Sequence, residues 1–177
     1  MRDFMKYITF RPILLILLVL IINSCKNESK NYFTFDEIVQ YKLNPEINTE
    51  LLFSEVLKTG IDSLRREIII NEKPSELKDS LFIRSLDKVG FEKVKVNPFK
   101  YHEIKDIYRE RSSPFIKTST TCEPIYRDIL IFKLQNKITG ISKICFECQK
   151  SQNIGINGKL KSFERESDFK NLKNFLQ

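Results

Sequence analysis

The sequence predicts an α+β domain in which an N-terminal strand and several helices are followed by a small antiparallel sheet and a C-terminal helix. Residues 33–43 alternate apolar and polar side chains, which is typical of a half-buried strand. Residues 45–108 carry apolar side chains at helical spacing. Residues 126–148 place β-branched runs on both sides of a polar turn, which indicates a hairpin. Strands and helices do not alternate as a parallel βαβ sheet requires.

Residues 33–73 predict one strand and then two helices. Alternating apolar residues place the strand at Glu37–Leu43. A first helix is expected to end at Gly60, since glycine is favoured just after a helix C-terminus. Its apolar stripe consists of Leu52, Val56 and Leu57. A second helix stops before Pro74, with a stripe of Ile61, Leu64 and Ile68.

Two further helices are predicted before residue 110. Ser75 is a favourable N-cap for the third, which ends at Gly90. Its expected inner side consists of Leu77, Leu81, Ser85 and Leu86. Residues 91–96 form a connector or a short strand. Asn97 and Pro98 begin the fourth helix as a cap residue followed by proline; its apolar face consists of Tyr101, Ile104, Ile107 and Tyr108.

The hairpin is expected to turn at Asn136-Lys137, so that Ile129 faces Ile144, Phe132 faces Ile141 and Asp128 faces Cys145. The predicted sides are Leu130, Phe132, Ile141 and Cys145 on one, and Ile129, Ile131, Ile144 and Phe146 on the other. Because both sides are apolar, the hairpin is expected in the middle of the sheet. Residues 151–156 supply the next strand, which bends at glycines 155 and 158. Residues 166–176 form the closing helix, which turns inward Phe169, Leu172 and Leu176.

The first 24 residues are typical of a secretory signal peptide. Basic residues precede an apolar run at 12–22, which is shorter than the about 20 residues of a membrane span. The run Ile22-Asn23-Ser24-Cys25 resembles the lipobox of bacterial lipoproteins. The resemblance implies that the chain is cut before Cys25 and that this cysteine is lipidated. Residues 25–32 would then be a tether, and residues 33–177 a single globular domain.

The resemblance also implies a location. The protein would lie in the cell envelope and contact the membrane through its N-terminal lipid. Residue 26 is a lysine, whereas an aspartate at this position would resemble an inner-membrane retention signal. The lysine therefore resembles an outer-membrane signal. The periplasmic or surface orientation stays open. The chain is similar to small uncharacterised lipoproteins of the Bacteroidota type in its lipobox, in residues 126–129 and in residues 144–148. That similarity implies a location and no activity.

Composition and residue spacing favour no catalytic site and no cofactor. The net charge of +7 is spread along the chain without a basic run, so nucleic acid is not an expected partner. Five glycines argue against a glycine-rich phosphate loop. His102 lies on the polar side of the fourth helix and is interpreted as a solvent-exposed residue and not as a base or ligand. With Ser112 and Ser113 it lacks an orienting acid at a recognised spacing.

Three interpretations of Cys122, Cys145 and Cys148 stay open. Two of them could form a structural disulfide, either Cys122–Cys148 or Cys122–Cys145. Cys145 and Cys148 could instead be a redox pair, although they end a strand and do not begin a helix. The three thiols and His102 could also bind zinc.

Two functions follow from these observations. The favoured one is a lipid-anchored, non-catalytic binding module, in an immunity-like role for example, with another envelope protein as a possible partner. The alternative is a periplasmic thiol-redox or zinc-binding protein that uses the three cysteines.

Overall fold

The computed structural model describes residues 30–54, 59–110, 121–161 and 165–177. The predicted signal peptide, the run that resembles a lipobox and Cys25 lie outside these residues. The described part is an α+β fold, as predicted, but its sheet has six strands and is larger than the small sheet expected. Within the described ranges, no helix is both long and apolar enough to span a membrane.

The sheet is built from antiparallel pairs in the order β2-β1-β3-β4-β5-β6. Its strands are β1 (Glu37–Leu43), β2 (Phe91–Lys95), β3 (Asp128–Leu134), β4 (Lys137–Cys145), β5 (Lys150–Gly155) and β6 (Gly158–Leu160). The bounds of β1 agree with the prediction. The β3–β4 hairpin occupies the centre of the sheet, which confirms the prediction from its two apolar sides.

The described residues contain four α-helices and two 3-10 turns. The helices are α1 (Gly60–Ile69), α2 (Ser80–Ser85), α3 (Tyr101–Ile107) and α4 (Glu166–Phe175); the 3-10 turns are Glu50–Phe53 and Pro98–Lys100. The prediction that Gly60 ends a helix is wrong, because it begins α1. Thr59 caps this helix: its hydroxyl accepts the Asp62 N–H and donates to the Asp62 carboxylate. Val56 and Leu57 lie outside the described residues.

Helix α2 begins later than predicted. Asp79, and not Ser75, is its cap, since the Asp79 carboxylate accepts the Phe82 N–H at 2.9 Å. The shift leaves Leu81 53% exposed and places Phe82 in the core. The start predicted at residue 97 is confirmed: the Asn97 side chain accepts a backbone N–H, and proline follows it.

The predicted hairpin register was wrong by one residue. Asp128 pairs with Ile144, and Ile131 pairs with Ile141. The turn consists of residues 135 and 136, both with positive φ, which is the twist that suits a two-residue hairpin turn. A register shift next to Phe132 then adds one residue to β4.

The shifted register moves the side chains of residues 140–145 to the face opposite to the predicted one, because side chains alternate along a strand. Ile144 lies with Leu130 and Phe132 in the core against α3 and α4. Ile141 lies with Ile129 in the core against α1 and α2. Both faces of the sheet are therefore covered by helices, and polar side chains in the central strands must find partners inside the protein.

Candidate functional site

The three cysteines of the folded domain lie together at one end of the β3–β4 hairpin. Cys122 and Cys148 form a disulfide with their Cα atoms 5.7 Å apart, which is one of the two pairings left open by the sequence. Cys145 is the free thiol and is buried. The pairing of Cys122 with Cys145 is therefore not formed.

Cys145 is not arranged as a reactive thiol. It packs against Tyr126 and Cys148, and the Cys148 backbone N–H donates to its sulfur at 3.4 Å. Burial raises the pKa of Cys145, and the nearby Glu147 carboxylate acts in the same direction. Reactive cysteines require the opposite shift. A redox pair of Cys145 and Cys148 also conflicts with the bond between Cys148 and Cys122.

The three thiols and His102 do not come together as a zinc site. His102 is exposed on α3 and lies 3.8 Å from the Asp106 carboxylate. Its exposure agrees with the position predicted on the polar side of that helix. Among the residues that the structure describes, no group of three or more His, Cys, Asp and Glu side chains could hold a metal ion. Ser112 and Ser113 lie outside the described ranges.

A buried lysine lies two residues before Cys145 on β4. Lys143 has no exposed surface, and its Nζ donates to the carbonyl oxygens of Asn71 at 2.6 Å and Lys73 at 2.8 Å. The same Nζ lies 4.5 Å from the centre of the Tyr126 ring. Burial lowers the pKa of Lys143 to about 7. These four residues form the Lys143 cluster, in which the amine is fully enclosed and paired.

Burial also shifts the aromatic member of this cluster. It raises the pKa of Tyr126 to about 12, with smaller contributions from the Cys145 thiol and the Glu72 carboxylate. The Tyr126 backbone N–H donates to the Ile69 carbonyl oxygen at 2.8 Å, which ties the chain before β3 to the end of α1. The Lys143 cluster is therefore held from three parts of the chain.

A cleft of about 350 Å³ opens beside the disulfide, between the ends of β1 and β3 and the C-terminal part of α4. This volume lies in the range of small-molecule sites, about 300–1,000 Å³. Its polar lining consists of Gln40, Lys42, Arg127, Asp128, Glu147, Lys173 and Gln177. Apolar lining includes Leu43, Phe146 and Leu176.

The floor of the cleft is a buried amide and a buried carboxylate. The Gln40 Nε2 donates to Asp128 Oδ1 at 2.9 Å. Gln40 is 2% exposed, and its Oε1 has no hydrogen-bond partner in the described part of the protein. Burial raises the pKa of Asp128, which the Gln40 hydrogen bond and the Lys42 charge partly oppose. An unpaired buried acceptor costs about 1–3 kcal/mol unless a water molecule reaches it.

The rim of the cleft is cationic. Lys42 and Lys173 are exposed, and Arg127 is half-buried, with one guanidinium nitrogen donating to Thr49 Oγ1 at 3.2 Å. None of these three cations forms an ion pair with the residues that the structure describes. Charged groups beside apolar walls suit an amphipathic ligand.

Neither protein-family models, nor curated proteins, nor solved structures match this chain. The site is therefore interpreted from its own geometry.

Sequence reasoning missed the cleft and the Lys143 cluster. In the sequence, Asp128 is notable only as the residue expected opposite Cys145 and as part of the run 126–129. The available signal was a polar residue in a line of alternating apolar side chains: Gln40 follows Ile38 by two positions, and Lys143 lies between Ile141 and Cys145. A polar residue at such a position either pairs with another polar group inside the protein or lines a cavity. The sequence alone does not distinguish the two cases.

Proposed function

We propose that this chain is a lipid-anchored protein of the bacterial cell envelope whose folded domain is a non-catalytic binding module with the cleft as its ligand site. The observation that carries the proposal is a cleft of about 350 Å³ whose lining combines three cations, two carboxylates and apolar side chains, a combination that suits an amphipathic ligand. An immunity-like role is one form of such a module.

The lipobox supports the anchored location. A lipidated Cys25 would carry more than one acyl chain, and two or more chains give stable membrane attachment whereas one does not. Mass spectrometry of the protein isolated from its own envelope tests this part. We expect an acylated N-terminus at Cys25; an unacylated chain that begins at Met1 would contradict it.

The cleft is tested by what the protein retains during purification. Full-length protein is isolated from its envelope in mild detergent, beside a variant with Lys42→Gln, Arg127→Gln and Lys173→Gln. A matched control replaces Lys93 and Lys95, exposed residues of β2 that do not line the cleft, with glutamine. We expect a molecule that accompanies the wild type and the control but not the cleft variant. Finding no molecule or partner that depends on the cleft would refute the binding module.

The alternative is a thiol-redox or zinc protein that uses Cys122, Cys145 and Cys148. The clustering of these cysteines at one end of the hairpin favours it, whereas the burial and raised pKa of Cys145 argue against it. Thiol counting separates the two functions. The binding module predicts one buried thiol without reductant, three thiols with it, and no stoichiometric zinc in the folded domain. One bound zinc per chain would favour the alternative.

A further inference from the structure

We propose that the ligand of the cleft is a small zwitterion that carries a free carboxylate and a free amine, as an amino acid or a short peptide does. This inference rests on the proposed binding function and names the chemical class of its ligand. The cleft itself is the evidence, because its lining combines three cations, two carboxylates and apolar side chains.

The cationic rim fits a carboxylate. Arg127 presents a planar guanidinium, which matches the two oxygens of a carboxylate, and only one of its hydrogen bonds, to Thr49, is made within the described residues. Lys42 and Lys173 add two charges close enough to affect the Asp128 carboxylate. None of these cations has an ion-pair partner in the described ranges, whereas the Lys173 Nζ also lies 5.9 Å from the centre of the Phe146 ring.

The acidic side chains of the cleft fit an amine. The Asp128 carboxylate and the exposed Glu147 carboxylate line the same cleft. An ammonium group donates three hydrogen bonds and accepts none, so it satisfies such a set. These two carboxylates disfavour a doubly charged phosphate, which they would repel.

The apolar wall and the volume limit the remainder of the ligand. Leu43, Phe146 and Leu176 offer apolar contact in the same cleft. A volume of about 350 Å³ lies at the lower end of the range of small-molecule sites. These features favour short peptides or amino acids with apolar side chains.

The test is saturation-transfer NMR and calorimetry on the full-length protein in detergent. The probes are dipeptides of leucine, valine, phenylalanine and alanine, each free, N-acetylated and C-amidated, and inorganic phosphate. We expect at least one free dipeptide to bind, and each cap to weaken its binding by tenfold or more. The class is wrong if no dipeptide binds, if capped forms bind as tightly as free ones, or if phosphate displaces the dipeptide at equal concentration.

Variants assign the two ends of the ligand. Arg127→Gln should weaken the free dipeptide by tenfold or more and leave the C-amidated form unchanged, because that form has no carboxylate to lose. Lys42→Gln, at an exposed position, repeats this test if the first variant does not fold. Lys95→Gln is the control and should alter neither. Equal losses for the free and amidated forms would overturn the assignment of the carboxylate to the cationic rim.

The results of this experiment distinguish a wrong ligand class from a wrong binding function. A cleft-dependent compound that lacks a carboxylate or an amine would leave the binding module standing and eliminate the zwitterion. The absence of both a cleft-dependent compound and a bound dipeptide would eliminate both.

Discussion

The Lys143 cluster and the cleft both place a polar side chain inside the sheet, Lys143 on β4 and Gln40 on β1, and the surroundings of the two side chains are opposite. The Lys143 amine is enclosed and donates to two carbonyl oxygens. The Gln40 amide is equally buried, but one of its polar atoms has no partner in the described part of the protein. Around the amine the protein is closed, whereas above the amide it opens into the cleft.

The difference separates a structural role from a binding role. A buried polar group with all its partners specifies how the chain packs, and nothing further is needed to stabilise it. A buried group that lacks a partner lowers the stability of the unliganded protein and raises its affinity for a ligand that supplies the missing bond. Residues of the Lys143 region should therefore control stability, and residues of the cleft should control binding.

The largest effect is expected where the disulfide closes the end of the hairpin near Lys143. Cys122→Ala should lower the free energy of unfolding by about 2–4 kcal/mol, because the bond closes a loop with a sequence separation of 26. Urea unfolding measures this loss. Reductant should destabilise the wild type by a similar amount and leave Cys122→Ala unchanged. A reductant effect of equal size in the variant would mean that the disulfide is not its cause.

The next effect is the pH dependence of stability that Lys143 confers. Its pKa is about 7 in the folded protein against 10.5 for an ordinary lysine, so between these values only the unfolded chain holds the proton. The free energy of unfolding should therefore rise with pH in this window, by up to about 1.4 kcal/mol per unit. Lys143→Met removes this contribution.

The measurement compares urea unfolding of the wild type and of Lys143→Met from pH 7 to pH 9. Cys145 and Tyr126 titrate with raised pKa values and act in the opposite direction, but both are present in the two proteins. The free energy of unfolding of the wild type minus that of Lys143→Met should rise with pH. Parallel curves would show that Lys143 remains charged in the folded state.

A smaller effect of opposite sign is expected in the floor of the cleft. Burial holds the pKa of Asp128 above its ordinary value of 3.8, so the wild type loses stability as pH rises through the window above 3.8. Asp128→Asn keeps the oxygen that accepts from Gln40 and removes the charge. It should be more stable than the wild type at pH 7 and should bind the ligand more weakly.

Unfolding at pH 7 and at pH 3.5 checks this sign. Most of the advantage of Asp128→Asn should disappear at the lower pH, where the carboxyl of the wild type is mostly protonated in both states. A variant that is less stable than the wild type at pH 7 would show that the Asp128 charge stabilises the fold and is not held for a ligand.

The smallest stability effect is expected at the exposed rim. Lys42→Gln and Lys173→Gln should each change the free energy of unfolding by less than about 0.5 kcal/mol, as is usual for surface substitutions. The same variants should reduce ligand affinity by tenfold or more. Thermal unfolding and calorimetry on one preparation measure both quantities. A loss of stability that parallels the loss of affinity would remove the distinction between the two regions.

The local elements were predictable and the site was not. The bounds of β1 and the central position of the hairpin follow from alternation within short segments. Helix ends were ambiguous in the sequence, because Gly60 and Ser75 suit cap positions no less than Thr59 and Asp79 do. In the structure, Thr59 and Asp79 are the caps. The floor of the cleft requires Gln40 to meet Asp128 across a separation of 88 residues, and this contact depends on the pairing of β1 with β3. No local pattern determines that pairing.

The comparison between the two regions can be tested in one measurement of lysine reactivity. Native full-length protein is labelled with an amine-reactive ester with and without a free dipeptide, and the rate at each lysine is read by mass spectrometry. We expect the dipeptide to slow labelling at Lys42 and Lys173, to leave Lys95 unchanged, and Lys143 to stay unlabelled throughout. Labelling of Lys143 in the folded protein, with unaltered rates at Lys42 and Lys173, would contradict both the closed cluster and the ligand-binding cleft.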